Sequence, residues 1–111
     1  MKFDNYEQFW LFYVGEHRNA TSRALHFCGT SLAAICLLTG IFFNAWFLLV
    51  APLLGYAFAW TGHFVFEGNK PATFGHPLWS LRGDFRMYKL MLTGGIHDEL
   101  EKSAKIYPPK K

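Results

Sequence analysis

ALHFCGTSLAAICLLTGIFFNAWFLLVAPLLGYAFAWTGHFVF, residues 24–66, contains no Asp, Glu, Lys or Arg. A surface helix of a soluble protein needs a solvated polar face, and this stretch offers almost none. Crossing a bilayer takes roughly 20 apolar residues. The stretch is long enough for two such passes, with Asn44 near its middle as the turn. The expected elements are transmembrane helices over 23–43 and 46–66, joined as a tight hairpin. Pro52 is expected to kink the second helix or to start its regular part. Gly29, Gly40, Gly55 and Gly62 are small residues of the kind that let membrane helices approach closely.

Every charged residue lies outside that stretch, in positions 1–23 or from Glu67 onward. Charged residues make up 17% of the 111-residue chain, against about 25% in soluble proteins. The apolar and aromatic content excludes a disordered chain, and two cysteines exclude a disulfide scaffold. Cys28 and Cys36 sit on one expected helix about 12 Å apart along its axis, beyond disulfide reach. A formal net charge of +3, spread along the chain, does not make a nucleic-acid groove. The acidic, aromatic first 15 residues do not read as a signal peptide.

Residues 4–14, DNYEQFWLFYV, read as an amphipathic interfacial helix capped by Asp4 or Asn5. Tyr6, Phe9, Trp10 and Tyr13 are then expected at headgroup level. The connector GEHRNATSR follows, with Gly15 as helix stop and Thr21 or Ser22 as the next cap. Beyond Glu67 comes a Gly- and Pro-rich loop, GNKPATFGHP. A helix is expected over 77–93, with Pro77 in its first turn. Leu78, Leu81, Phe85, Tyr88 and Leu92 fall near one face, and Arg82, Arg86 and Lys89 on another. Such a helix beside membrane spans lies on the anionic leaflet. Residues 97–111 read as a short helix and a frayed polar tail ending in PPKK. Lys and Arg are confined to the hairpin's open side, so both termini are expected in the cytoplasm. The fold class is all-α: one small integral membrane domain, 1–111, a two-span hairpin flanked by amphipathic interfacial helices.

Five histidines carry the possible chemistry. His26 and His63 sit at the two ends of the uncharged stretch, and their midpoint falls at the Asn44 turn. A symmetric hairpin brings them to one depth at its open end. His17 and His76 lie in the flanking connectors, so four imidazoles can converge there. Ionisable groups near membrane depth are costly and often functional. Neutral imidazole is the commonest metal ligand. Glu67, four residues after His63, shares its helix face if the helix continues. Histidines with a carboxylate suit iron, manganese or zinc. Each histidine alone also fits an ordinary core or interfacial position. Asn19 and Asn69 flank His17 and Glu67 and can orient them, or serve as plain turn residues.

EHRNATSRALHFCGTS (16–31), GHFVFEGNKPATF (62–74) and PLWSLRGDFRMY (77–88) resemble a family of small multi-histidine membrane proteins. Its characterised fungal branch is the endoplasmic-reticulum 2-hydroxy-fatty-acid dioxygenase (Mpo-like). The resemblance runs from about Phe9 to Met91. It implies an iron(II)-dependent dioxygenase that shortens 2-hydroxy fatty acids by one carbon. It implies His17, His26 and His63 as metal ligands, with His76 as a fourth candidate. Glu67 matches the family's glutamate and, with Asn19, forms the candidate catalytic set. The implied partners are a fatty-acid substrate, dioxygen and the membrane. The fungal proteins carry more apolar segments between the two blocks. Two spans give little wall for a buried site, so a homo-oligomer is expected. The short form points to a bacterial inner membrane. The rival class is a non-catalytic membrane protein, an assembly or lipid-interaction factor with interfacial histidines. A soluble helical bundle is a third class, and it requires oligomerisation to cover the spans.

Overall fold

The computed structural model describes residues 2–71 and 74–108, which form helices and their connectors with no strand among them. The end of the expected PPKK tail, residues 109–111, lies outside them. Helices α1 (Tyr6–Gly15), α2 (Ala20–Phe42), α3 (Phe47–Thr61), α4 (Pro77–Thr93) and α5 (Ile96–Ile106) follow in order, with a π-helical segment at Gly62–Glu67 extending α3. The chain divides into two compact units. One is Asn19–Gly68; the other comprises the described residues of Met1–Arg18 and Asn69–Lys111.

The first unit is the hairpin. Asn19 caps α2: its side chain accepts hydrogen bonds from the Thr21 and Ser22 amides, at 2.8 and 3.1 Å. Thr21 and Ser22, the caps expected from sequence, are instead the capped donors, because Asn19 already has the extended backbone a cap requires. Asn44 makes the turn, its side chain accepting from the Trp46 amide at 3.1 Å. Pro52 falls inside α3 rather than at its start, so the Leu48 carbonyl loses its usual helical donor.

α2 and α3 pack antiparallel along a seam of small residues. Ser22, His26, Gly29, Cys36 and Gly40 are the buried line of α2. Their spacing of three, four and seven positions keeps one stripe on the partner helix. A Cβ placed on Gly29 would sit 2.6 Å from Phe58 Cβ, and one on Gly40 2.6 Å from Leu48 Cδ2. Gly62 is as tight against Ser22 Oγ, at 2.8 Å. The outer surface stays apolar and uncovered, with Ile35, Leu38, Ile41, Leu49 and Leu53 exposed. Ala20–Phe42 and Phe47–Glu67 are both long and apolar enough to cross a membrane. Only 22% and 17% of their apolar windows are buried, so neither is the core helix of this chain. An apolar surface of that extent in water is an association liability.

The second unit packs α1 against α4 and α5. Tyr6, Phe9, Trp10, Tyr13 and Val14 form its core with Met87 and Ile96. The α1 aromatics, expected at a headgroup layer, are thus covered by protein. An amphipathic stripe specifies an apolar partner but not which one. α4 approaches α1 through Gly83, where a Cβ would lie 3.3 Å from the Tyr13 ring. Ser103 of α5 donates to the Leu11 carbonyl at 2.6 Å.

Polar groups close this core at its edge. Trp10 Nε1–H donates to Glu99 Oε1 at 3.1 Å. Arg86 reaches Glu7 at 3.0 Å and Glu99 at 3.4 Å, while Lys102 meets Glu99 at 3.1 Å. The Arg86 guanidinium also lies 4.3 Å from the Trp10 ring centroid, a favourable cation–π position. Burial raises the Glu99 pKa, but the hydrogen bonds from Lys102 and Trp10 and the charges of Lys102 and Arg86 outweigh it. The net shift is below the ordinary value of 4.5.

Two stability outcomes follow. Gly29→Val should lower the unfolding free energy in detergent by about 1–3 kcal/mol through overpacking. Gly55→Ala, whose Cβ would stand 3.6 Å from Ala33 Cβ, should change it far less. Thermal unfolding followed by circular dichroism compares the two. Because the folded pKa of Glu99 is depressed, its stabilisation is complete above the unfolded value and is lost as pH falls through the folded one. Glu99→Gln should flatten the acid limb of the melting temperature below about pH 4.5. Glu99→Ala, which strands the Trp10 N–H, should cost about 1–3 kcal/mol at neutral pH.

Candidate functional site

The open end of the hairpin gathers polar side chains inside an otherwise apolar unit. Ser22, Arg23 and His26 are buried on α2, and His63 is buried on the π segment. His26 and His63 are each 3% exposed. Gly62 places its backbone on Ser22, which brings the neighbouring His63 to the first turns of α2. His26 and His63 therefore belong to the same end of the hairpin, as their symmetry about Asn44 predicts.

The π segment is the local irregularity of this end. It closes with the Gly68 amide on the His63 carbonyl, and Gly68 takes the left-handed conformation, φ 69°. Such segments are rare and concentrate at functional sites. Glu67, its last residue, accepts a hydrogen bond from the Asn19 amide at 2.6 Å. A helix start leaves its first amides without helical partners. Here the Asn19 side chain covers two of them, and Glu67 from the other end of the hairpin covers the amide of the cap itself. The arrangement does across the hairpin what a capping box does within one helix.

The other candidates lie in the second unit. His17 is 1% exposed. Its Nδ1 lies 2.8 Å from the Tyr13 carbonyl oxygen. A carbonyl only accepts, so Nδ1 carries the proton, and in the neutral ring the lone pair sits on Nε2. A backbone carbonyl orienting one imidazole nitrogen is the usual support of a metal-ligating histidine. The His17 ring lies against the Tyr13 ring, centroids 4.4 Å apart. Tyr13 in turn donates its hydroxyl to Asp84. Burial, reinforced by the Asp84 charge and hydrogen bond, pushes the Tyr13 phenol well above its ordinary pKa, so it stays a donor.

His76 stands at the N-cap position of α4 without a side-chain capping bond, and is half-buried among rings. It stacks on Trp79 at 5.6 Å and 4°, with Phe3 and Phe9 at 5.2 and 5.3 Å. His97 is exposed at the start of α5. Asn69 donates to the Glu16 carbonyl and carboxylate, both at 3.1 Å. Among the described residues, no group of three or more His, Cys, Asp or Glu is arranged to hold a metal. Imidazole suits zinc, copper, iron and nickel alike, and the hairpin unit buries two, His26 and His63, at one end. The Tyr13–Asp84 pair, 71 positions apart, escaped sequence reading. No local pattern links a stripe tyrosine to an aspartate on a distant helix.

Glu67→Gln keeps an oxygen for the Asn19 amide, whereas Glu67→Ala removes it. The Ala variant should lose about 1.5–3 kcal/mol of stability, the range for hydrogen bonds to charged groups, and the Gln variant markedly less. Chemical denaturation in detergent micelles measures the difference. A catalytic carboxylate at this position would make Glu67→Gln inactive while still folded.

No curated protein and no solved structure matches the chain. The family model described as "2-hydroxy-palmitic acid dioxygenase Mpo1-like" matches residues 3–96. That interval takes in the hairpin, the π segment with His63 and Glu67, and α1 and α4 with His17 and His76. The chain belongs to the Mpo1-like family.

Proposed function

We propose that this chain is an iron(II)-dependent dioxygenase acting on 2-hydroxy fatty acids, releasing the fatty acid one carbon shorter. The observation that carries the reading is the family match together with His26 and His63 buried at one end of an apolar hairpin. The proposed ligands are His26 and His63, with His17 and His76 added on the resemblance alone. When bound, iron(II) supplies dioxygen activation and a Lewis acid for the hydroxy-acid head.

The chain's own residues do the rest. The uncovered surface of α2 and α3 receives the acyl tail, as lipid does. Arg23, buried one turn before His26, supplies a positive charge for the substrate carboxylate. Arginine matches a carboxylate's geometry better than lysine does. The Tyr13 carbonyl fixes the His17 tautomer. Glu67 and Asn19 hold the two ends of the hairpin in register, and the catalytic role expected of them is indirect in this reading. The chain lies in a bacterial inner membrane with both termini cytoplasmic, and copies associate to wall the site.

Anaerobically purified protein should bind iron(II). With dioxygen and a 2-hydroxy fatty acid it should release the acid one carbon shorter, read by mass spectrometry. His26→Ala and His63→Ala should lose more than the about 10–100-fold that removal of an orienting partner costs, and should lose iron in metal analysis. Iron-loaded wild type without product refutes the reading and leaves a non-catalytic membrane protein.

A further inference from the structure

α4 presents its two faces the wrong way round for a helix of a water-soluble unit. Ser80, Gly83 and Met87 are the residues it buries. Leu78, Leu81, Phe85 and Leu92 are exposed, by 80, 47, 58 and 62%. At 3.6 residues per turn these four fall within about 60° of arc. The buried three fall within a similar arc on nearly the opposite side. The large apolar side chains thus face away from their own unit, and the small ones face in.

The charges explain why the stripe is not simply the back of a basic face. Arg82 lies over the Tyr6 ring, 4.0 Å from its centroid. Arg86 is engaged by Glu7 and Glu99. Two of the three basic residues expected to meet an anionic leaflet therefore serve the unit's own fold. What α4 presents outward is the four apolar side chains, with the exposed Arg82 and Lys89 at their border.

The chain itself says what covers this stripe. α1 ends at Gly15 and α2 starts at Ala20; the π segment ends at Glu67 and α4 starts at Pro77. At no more than about 3.6 Å per residue, these connectors reach roughly 18 and 36 Å. Both lead to the same open end of a hairpin long and apolar enough to cross a membrane. A lipid surface is thus held at high effective concentration next to the unit. We propose that the Leu78–Leu81–Phe85–Leu92 stripe of α4 inserts into the lipid interface, and that the attraction is apolar rather than ionic. The inference does not depend on the oxygenase reading.

The test uses the full chain in vesicles of zwitterionic phosphatidylcholine. Nitroxide labels go on single cysteines at Leu81, Phe85 and, as control, exposed Glu101, with Cys28→Ser and Cys36→Ala. Power saturation should show Leu81 and Phe85 accessible to oxygen and shielded from a water-soluble nickel chelate, with Glu101 the reverse. Nickel access at Leu81 and Phe85 overturns the proposal, as does shielding from both reagents, which means protein covers the stripe. A second measurement keeps both native cysteines. Benzoylphenylalanine in place of Phe85 should give a phospholipid adduct on irradiation in the same vesicles. An adduct to a second copy of the chain, or none, overturns it.

Discussion

The antiparallel contact of α2 with α3 is the constraint on which the hairpin depends. In hydrocarbon there is no hydrophobic gain from bringing two apolar helices together, so close packing must hold them. Gly29, Gly40 and Gly62 let backbone meet side chain where a single Cβ would collide. That closeness buries His26 and His63 at the open end of the hairpin. It also brings the Asn19 amide to the Glu67 carboxylate, so the polar ends of both helices satisfy one another. The π segment, the left-handed Gly68 and the buried histidines are all features of this one end.

The second unit is held by a different balance. Its core is aromatic and small, and its rim is a charge network centred on Glu99. Trp10, Arg86 and Lys102 converge on one carboxylate. A buried carboxylate is tolerated when it is paired and hydrogen-bonded, and this one is both. The same network withdraws Arg86 from the surface. The unit that carries His17 and His76 is therefore a packed module in its own right.

Much of the architecture was legible in local pattern. The charge-free run announces the hairpin, Asn44 its turn, and Pro77 the start of α4. The matching depth of His26 and His63 follows from counting positions about that turn. The cap of α2 was misplaced by two or three residues, because Asn19, Thr21 and Ser22 all have side chains able to cap. The fate of the α1 aromatics was not legible, since lipid and protein are equally good partners for an apolar stripe. Nor was the role of Glu67, whose partner is 48 positions away.

The sequence by itself determined that two helices pair through an uncharged stretch and that titratable groups stand at its ends. The reason is local and strong: charges and unsatisfied backbone groups are too costly in hydrocarbon for other solutions. Tertiary structure alone decided which polar group meets which. It set Glu67 on the Asn19 amide, Tyr13 on Asp84, and Arg86 between Glu7 and Glu99. It also turned the small face of α4 inward and the large apolar face outward. Periodicity marks a stripe on a helix, but which neighbour covers that stripe depends on packing between distant parts of the chain.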